Sequence, residues 1–263
     1  MARLALLSVM LTLSALISAC GGLNNDADLG ENQPYRLKLV DAPTSIFAGD
    51  CNGNFMSIQV VQKSNDSSIF VNEDIVVTAR GYSGETEIEN SVFLQSSLDC
   101  NGSSSSTTIE NGEAESLIYL QVNRVEVNRI TLSNSNSTVA GAEITVQVLP
   151  NFVGAIALDN LPTSAVTNTA FNPAPQLQLT DAWGNIILDE TANITVDAYL
   201  DSICITPASG ALTGNTDVTT STGALTLPNV RYSLPSIIYL KAFVSGDGTI
   251  ASECKGPITV TAP

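Results

Sequence analysis

Three glutamates at every second position, Glu85, Glu87 and Glu89 in the run GETEIEN, are the first side chains whose type and spacing could do chemistry. On an extended chain they share one face, and carboxylates held close together are the machinery of glycoside hydrolysis. The same run fits a cation site. It also fits, with no ligand at all, the solvated face of an edge strand, where charge deters edge-to-edge pairing and like charges must stay hydrated; this last reading suits the pattern best. Oxygen donors for calcium occur at Asp50, Asn52 and Asn54, at Asp99 with Asn101, and at Asp181 with Asn185. No loop of alternating aspartates followed by a glutamate accompanies them, and Asp-Asn-Gly clusters are ordinary turn vocabulary. Trp183 lies between Asp181 and Asn185; its indole could stack on a sugar or a protein partner, or cover the end of a packed unit.

Composition argues against catalysis. The chain has no histidine, which removes the usual general base, nucleophile activator and metal ligand. There is no G-x-S-x-G nucleophile elbow, no phosphate-cradling glycine loop and no C-x-x-C spacing, so no enzyme, no zinc site and no resident cofactor are expected. Ten Lys plus Arg face 26 Asp plus Glu, a net charge of −16. That excess repels polyanions, and nucleic acid is not an expected partner. Only 14% of the 263 residues are charged, so the surface is built mainly from Ser, Thr and Asn, a mixture suited to exported β-structure.

The first nineteen residues, MARLALLSVMLTLSALISA, place one arginine before an apolar stretch that ends in small residues, the anatomy of a signal peptide. The apolar segment, residues 4–17, would span roughly 21 Å as a helix against about 30 Å of hydrocarbon, short for a membrane span. Its end, Ile17-Ser18-Ala19-Cys20, resembles the lipobox of bacterial lipoproteins. The resemblance implies cleavage before Cys20 and acylation there, with palmitate-type chains anchoring the protein at a membrane. Gly21, where Asp would resemble an inner-membrane retention signal, implies the outer membrane, facing either the periplasm or the cell surface. Residues 20–34 then read as the lipidated N-terminus and a flexible tether, glycine-rich, acidic and without apolar periodicity.

From Tyr35 onward the alternation has period two. Tyr35, Leu37 and Leu39 oppose Arg36 and Lys38; Met56, Ile58 and Val60 alternate with Ser57 and Gln59; Ile144, Val146 and Val148, Leu177 and Leu179, Ile194 and Val196, Ile238, Leu240 and Ala242, and Ile258 and Val260 continue the pattern. These are half-buried strands separated by Gly, Asn, Asp and Ser turns, dense enough for β-sandwiches. The chain also repeats itself. LVDAPTSIFAG near residue 40 answers to LDNLPTSAVTN near residue 160, SVFLQSSLDC to ITVDAYLDSIC, and STTIENGEAES to TDVTTSTGALT, and both halves close on an Ile-Thr-Val strand and a proline. The expected organisation is a signal peptide (1–19), a lipidated tether (20–34) and two tandem sandwiches, 35–150 and 151–263, joined too tightly to swing freely.

The second unit carries LQLTDAWGNII, in which Leu179, Asp181, Gly184 and Asn185 resemble a strand followed by the D-x-x-G-N turn of bacterial Ig-like domains of the invasin and intimin type. The resemblance covers residues 151–263 more fully than 35–150, where VVQKSNDSSIF stands in place of the turn. It implies an all-β protein of two Ig-like sandwiches on a cell surface. With Cys20 acylated, four cysteines remain and allow three connectivities; pairing within each unit is the economical one, Cys51–Cys100 and Cys204–Cys254, in keeping with an oxidising compartment. The resulting expectation is a membrane-anchored, non-catalytic envelope lipoprotein acting as an adhesion, scaffold or spacer module, its partner a protein or glycan on a cell surface. The alternative is a surface lipoprotein that binds glycan or calcium through its loops.

Overall fold

The computed structural model describes residues 33–51, 53–96 and 104–263. The expected signal peptide, Cys20 and the tether through residue 32 lie outside the described residues, as do Asn52, Asp99, Cys100 and Asn101. Every regular element among the described residues is a β-strand.

The first unit contains β1 (Tyr35–Val40), β2 (Ser45–Phe47), β3 (Phe55–Gln62), β4 (Ile75–Ser83), β5 (Thr86–Ile88), β6 (Val92–Gln95), β7 (Ser106–Ile109), β8 (Glu115–Val122), β9 (Arg129–Asn134), β10 (Val139–Ala140), β11 (Ala142–Thr145) and β12 (Gln147–Leu149). One sheet runs β10-β1-β3-β8-β6. The other runs β11-β9-β4, with β5 and β7 sharing the free edge of β4. β12 carries on from β11 past Val146 and pairs in parallel with β2. The inward residues of the two sheets, among them Met56, Ile58, Val77, Leu120 and Ile130, form one fully buried core. Each such side chain contributes about 1.5–3 kcal/mol on leaving water.

The second unit contains β13 (Ala155–Asp159), β14 (Ser164–Val166), β15 (Gln176–Thr180), β16 (Asn193–Tyr199), β17 (Leu212–Thr213), β18 (Asp217–Thr219), β19 (Ala224–Thr226), β20 (Arg231–Tyr232), β21 (Ser236–Val244), β22 (Asp247–Ala251) and β23 (Lys255–Thr261). The sheet β13-β15-β19 faces β14-β23-β21-β16-β18, and a separate core forms between them around Leu177, Leu179, Val196, Leu240 and Ile258.

In both units the first strand pairs antiparallel in one sheet, and the next short strand then crosses to pair in parallel with the last strand. This is the edge arrangement of an Ig-like sandwich, and the repeated segments build it. Asp41 and Asn160, which correspond in LVDAP and LDNLP, both take left-handed φ values, 59° and 57°, at the point where the chain leaves the first sheet. Short polar residues tolerate that conformation because they can bond locally to the backbone. Thr44 O then accepts from Gln147 N at 2.9 Å, and Thr163 O from Thr259 N at 3.0 Å. Ala48 N donates to Leu149 O at 2.8 Å, and Thr167 N to Thr261 O at 2.9 Å.

These bonds also correct one detail of the repeat. Spatially, Val146-Gln147-Val148 of the first unit corresponds to Ile258-Thr259-Val260, so the two Ile-Thr-Val triplets are two residues out of step. A slip of two leaves every side chain on the same face, which is why the pattern alone does not reveal it.

Cys204 and Cys254 are joined in the second unit. Cys51 is disulfide-bonded and fully buried, while its expected partner, Cys100, lies outside the described residues.

Candidate functional site

The residues singled out at 181–185 form a compact turn at the end of β15. Gly184 takes φ +81°, a conformation glycine reaches without steric cost. The Asp181 carboxylate closes the turn: Oδ1 accepts from Trp183 N and Asn185 N, each at 2.9 Å, and Oδ2 accepts from Asn185 Nδ2 at 2.8 Å and Asn151 N at 3.2 Å. Asp181 is only 1% exposed. A carboxylate so far from water is tolerable only when its lone pairs are met by donors, and four donors meet it here.

Asn185 links this turn to the first unit. Its second amide hydrogen goes to Asn123 O at 2.9 Å, and its Oδ1 accepts from Val125 N at 3.2 Å, so both amide hydrogens and the amide oxygen are engaged. Arg124 Nη1 donates to Trp183 O at 3.2 Å, and Asn151 Nδ2 donates to Ala48 O at 2.9 Å. The D-x-x-G-N turn of one sandwich is therefore hydrogen-bonded into the β8–β9 connection and the end of β2 of the other. Two backbone groups that would otherwise be left unpaired between the units, Asn123 O and Val125 N, find their partners in one side chain.

Trp183 completes the joint. Its ring is half-buried and packs against the core of the first unit. The contact is at Gly49, where a Cβ would come within 1.9 Å of the indole Cη2 and Cζ2. Gly49 also has φ +74°, and its backbone is tied by Gly49 N to Val122 O at 2.8 Å and by Gln121 Nε2 to Gly49 O at 3.0 Å. A side chain at position 49 therefore meets both an unfavourable backbone conformation and an occupied space. Gly49→Ala is expected to expel the indole, lowering stability by about 1–3 kcal/mol and shifting the emission of the chain's single tryptophan to the red. Denaturation followed by intrinsic fluorescence reads both effects.

The other candidates lie elsewhere. Glu85, Glu87 and Glu89 are all exposed on and beside β5. Glu87 faces Arg80 at 3.4 Å; Glu85 faces Arg129 at 3.4 Å; Arg129 also reaches Glu143 at 3.3 Å and stacks over the Tyr82 ring. Exposed pairs of this kind contribute little, about 0–1 kcal/mol each. A glycosidase acid needs a carboxyl desolvated enough to keep its proton, and these are in water. Among the described residues, Asp197 is the carboxyl pushed above its usual range, first by burial and second by the Asp217 charge beside it.

At the calcium candidate, Asn54 Nδ2 donates to Asp50 O at 2.8 Å and Asn54 N to Cys51 O at 3.2 Å, the bonding of a turn. Among the described residues, no group of three His, Cys, Asp or Glu side chains could hold a metal ion. Sequence reasoning missed Gly49, Asn123, Arg124 and Asn151 as parts of the joint, because each acts through a partner distant in the chain. The tight connection at residue 150 and the reading of Trp183 as a cover for the end of a packed unit were the signals of it.

No protein-family model and no curated protein matches this sequence. Similar solved structures include invasin, described as a bacterial integrin-binding protein, at 14% identity over 87% of this chain and 39% of that one, with a TM-score of 0.29. A glycosyl hydrolase family 2 member from Bacteroides cellulosilyticus aligns at 13% identity over 80% of this chain and 23% of its own, with a TM-score of 0.32. The alpha-2-macroglobulin of E. coli aligns at 13% identity over 88% and 17%, with a TM-score of 0.40. The chain spans well under half the length of each of these proteins. Its fold class, two Ig-like sandwiches in an all-β chain, stands on the strand order above.

Proposed function

We propose that the protein is a lipid-anchored, non-catalytic module of the bacterial cell envelope, in which two Ig-like sandwiches act as one stiff spacer presenting an adhesion or scaffolding surface. The observation that carries this reading is the buried Asp181–Asn185 turn. A freely jointed pair of domains has no use for a saturated, dehydrated carboxylate between them, whereas a spacer that must hold a fixed angle does. In this reading, acyl chains on Cys20 supply the anchor, residues 20–34 supply the tether, and the outer membrane is the site of residence. The absence of histidine and the hydrated glutamates at β5, of which Glu85 and Glu87 are ion-paired, support a role without chemistry.

Mass spectrometry of the protein recovered from cell envelopes tests the anchor. The expected product begins at Cys20 and carries diacylglycerol and N-linked acyl mass; a free thiol at Cys20, or retention of residues 1–19, overturns the reading. Protease treatment of intact and permeabilised cells then separates an adhesin, digested from outside, from a periplasmic scaffold, protected until permeabilisation.

A further inference from the structure

Beside the joint, with Asn151 common to both, a groove of about 600 Å³ opens between the two units. Its floor is apolar: Phe47 at the end of β2, Leu149 and Pro150 at the end of β12, Phe152 in the connection, and Ile187 beyond the turn. Phe152 is 91% exposed, so its ring is not accounted for by the protein's own packing, and Phe47, at 54% exposed, is only partly covered. A phenyl ring standing almost wholly in water gives up its transfer free energy, and aromatic side chains are the commonest anchors of protein contacts. The acidic residues Asp50, Asp189 and Glu190 also line the groove, and among the described residues no Lys or Arg does.

We infer that this groove is a docking site for a cationic, apolar segment of another protein: an extended stretch whose aromatic or aliphatic side chains pack against Phe47 and Phe152 while flanking Lys or Arg side chains meet the carboxylates. Charge complementarity selects that occupant. The exposed carboxylates of Asp189 and Glu190, on a chain of net charge −16, oppose an anionic lipid surface or an acidic peptide and favour a basic one. The site exists only while the joint is locked, because Phe47 belongs to one sandwich and Ile187 and Asp189 to the other. Docking would therefore read the interdomain angle as well as the local chemistry. The inference goes beyond the proposed envelope role and does not depend on the lipid anchor.

The test uses the full chain and a fluorescein-labelled peptide of alternating Lys and Phe, followed by anisotropy, with a Glu-Phe peptide and a Lys-Ser peptide as controls. Saturable binding of the Lys-Phe peptide alone is expected, weakening as salt is raised. Phe152→Ser and the pair Asp189→Asn with Glu190→Gln are each expected to weaken it at least tenfold. Phe152 is so exposed that its replacement leaves the fold intact, and unchanged Trp183 emission in the variant confirms this. No binding, equal binding of the Glu-Phe or Lys-Ser peptide, or affinity indifferent to Phe152 overturns the inference. So does Phe152-dependent binding of a neutral oligosaccharide, such as dextran fragments, in place of the peptide.

Discussion

Replacing Asp181 with alanine is expected to destabilise the protein by about 3–5 kcal/mol and to uncouple the two sandwiches. The size follows from what the change leaves behind. Trp183 N, Asn185 N, Asn185 Nδ2 and Asn151 N all donate to this carboxylate, and at 1% exposure the vacated space is poorly reached by water. Deleting one acceptor thus strands several buried donors, each with its own desolvation cost. The loss is shared between two functions, because Asn185 loses the bond that orients it toward Asn123 and Val125 in the other unit. Chemical denaturation measures the first effect, and small-angle scattering measures the second as a broadened distribution of interdomain distances. Asp181→Asn should fall between wild type and alanine, since an amide can still accept from the two backbone groups at Oδ1 but offers a donor where Asn185 Nδ2 and Asn151 N need an acceptor. A change under about 1 kcal/mol with unaltered scattering would remove the joint from any account of the protein.

Converting Cys204 and Cys254 together to serine is expected to lower the stability of the second sandwich by up to about 4 kcal/mol, the chain-entropy value for a closed loop of this length; the two residues are 50 apart in sequence. Thermal unfolding of the double variant, and of the wild type with and without reductant, checks it. Packing does little to hold this loop, since Ile203 and Ile205 on either side of Cys204 are largely exposed. Besides the backbone bonds from Leu200 N to Thr206 O at 2.9 Å and from Cys204 N to Asp201 O at 3.1 Å, the loop is held by the Asp201 carboxylate, which accepts from Ile203 N and Ile205 N at 3.1 Å and from Thr206 N at 2.6 Å. Those bonds, the one from Thr206 N foremost, hold the Asp201 carboxyl below its usual range. Its folded pKa is depressed relative to the unfolded chain, so the support is fully present above the ordinary carboxylate range, near 4, and is lost as pH falls through the lower folded value. Amide protection across residues 201–206, taken relative to the intrinsic exchange rate at each pH, should therefore fall in acid, and more so once the disulfide is gone.

Much of this architecture is legible in the sequence. Alternation with period two is a local property, and it identified Met56, Ile58 and Val60, Leu177 and Leu179, and Ile238, Leu240 and Ala242 as inward-facing. The repeat of LVDAPTSIFAG in LDNLPTSAVTN marked equivalent stretches of the two units, and its residues Asp41 and Asn160 share a positive φ that local backbone sterics favour; that these stretches hold the crossing strands is a finding of the fold. The Cys204–Cys254 pair followed from economy within one unit. The D-x-x-G-N segment was recognisable as a turn for the same reason: Asp181 binding Trp183 N and Asn185 N is a bond between near neighbours.

The use to which that turn is put was not legible. Asp181 and Asn185 were open to binding roles in the sequence, and Trp183 to stacking or packing. Their surroundings depend on Gly49, on residues 123–125 and on Asn151, which approach only after both sandwiches have formed and abutted. The register of the closing strands was hidden too, since a two-residue slip preserves the facing of every side chain. Patterns of residue type thus settle what each stretch of chain can form by itself, through sterics and burial within a few residues. Which buried polar groups meet across the units, and which aromatic rings are left in water, follows from the docking of two finished sandwiches, whose contacts join positions that no local period relates.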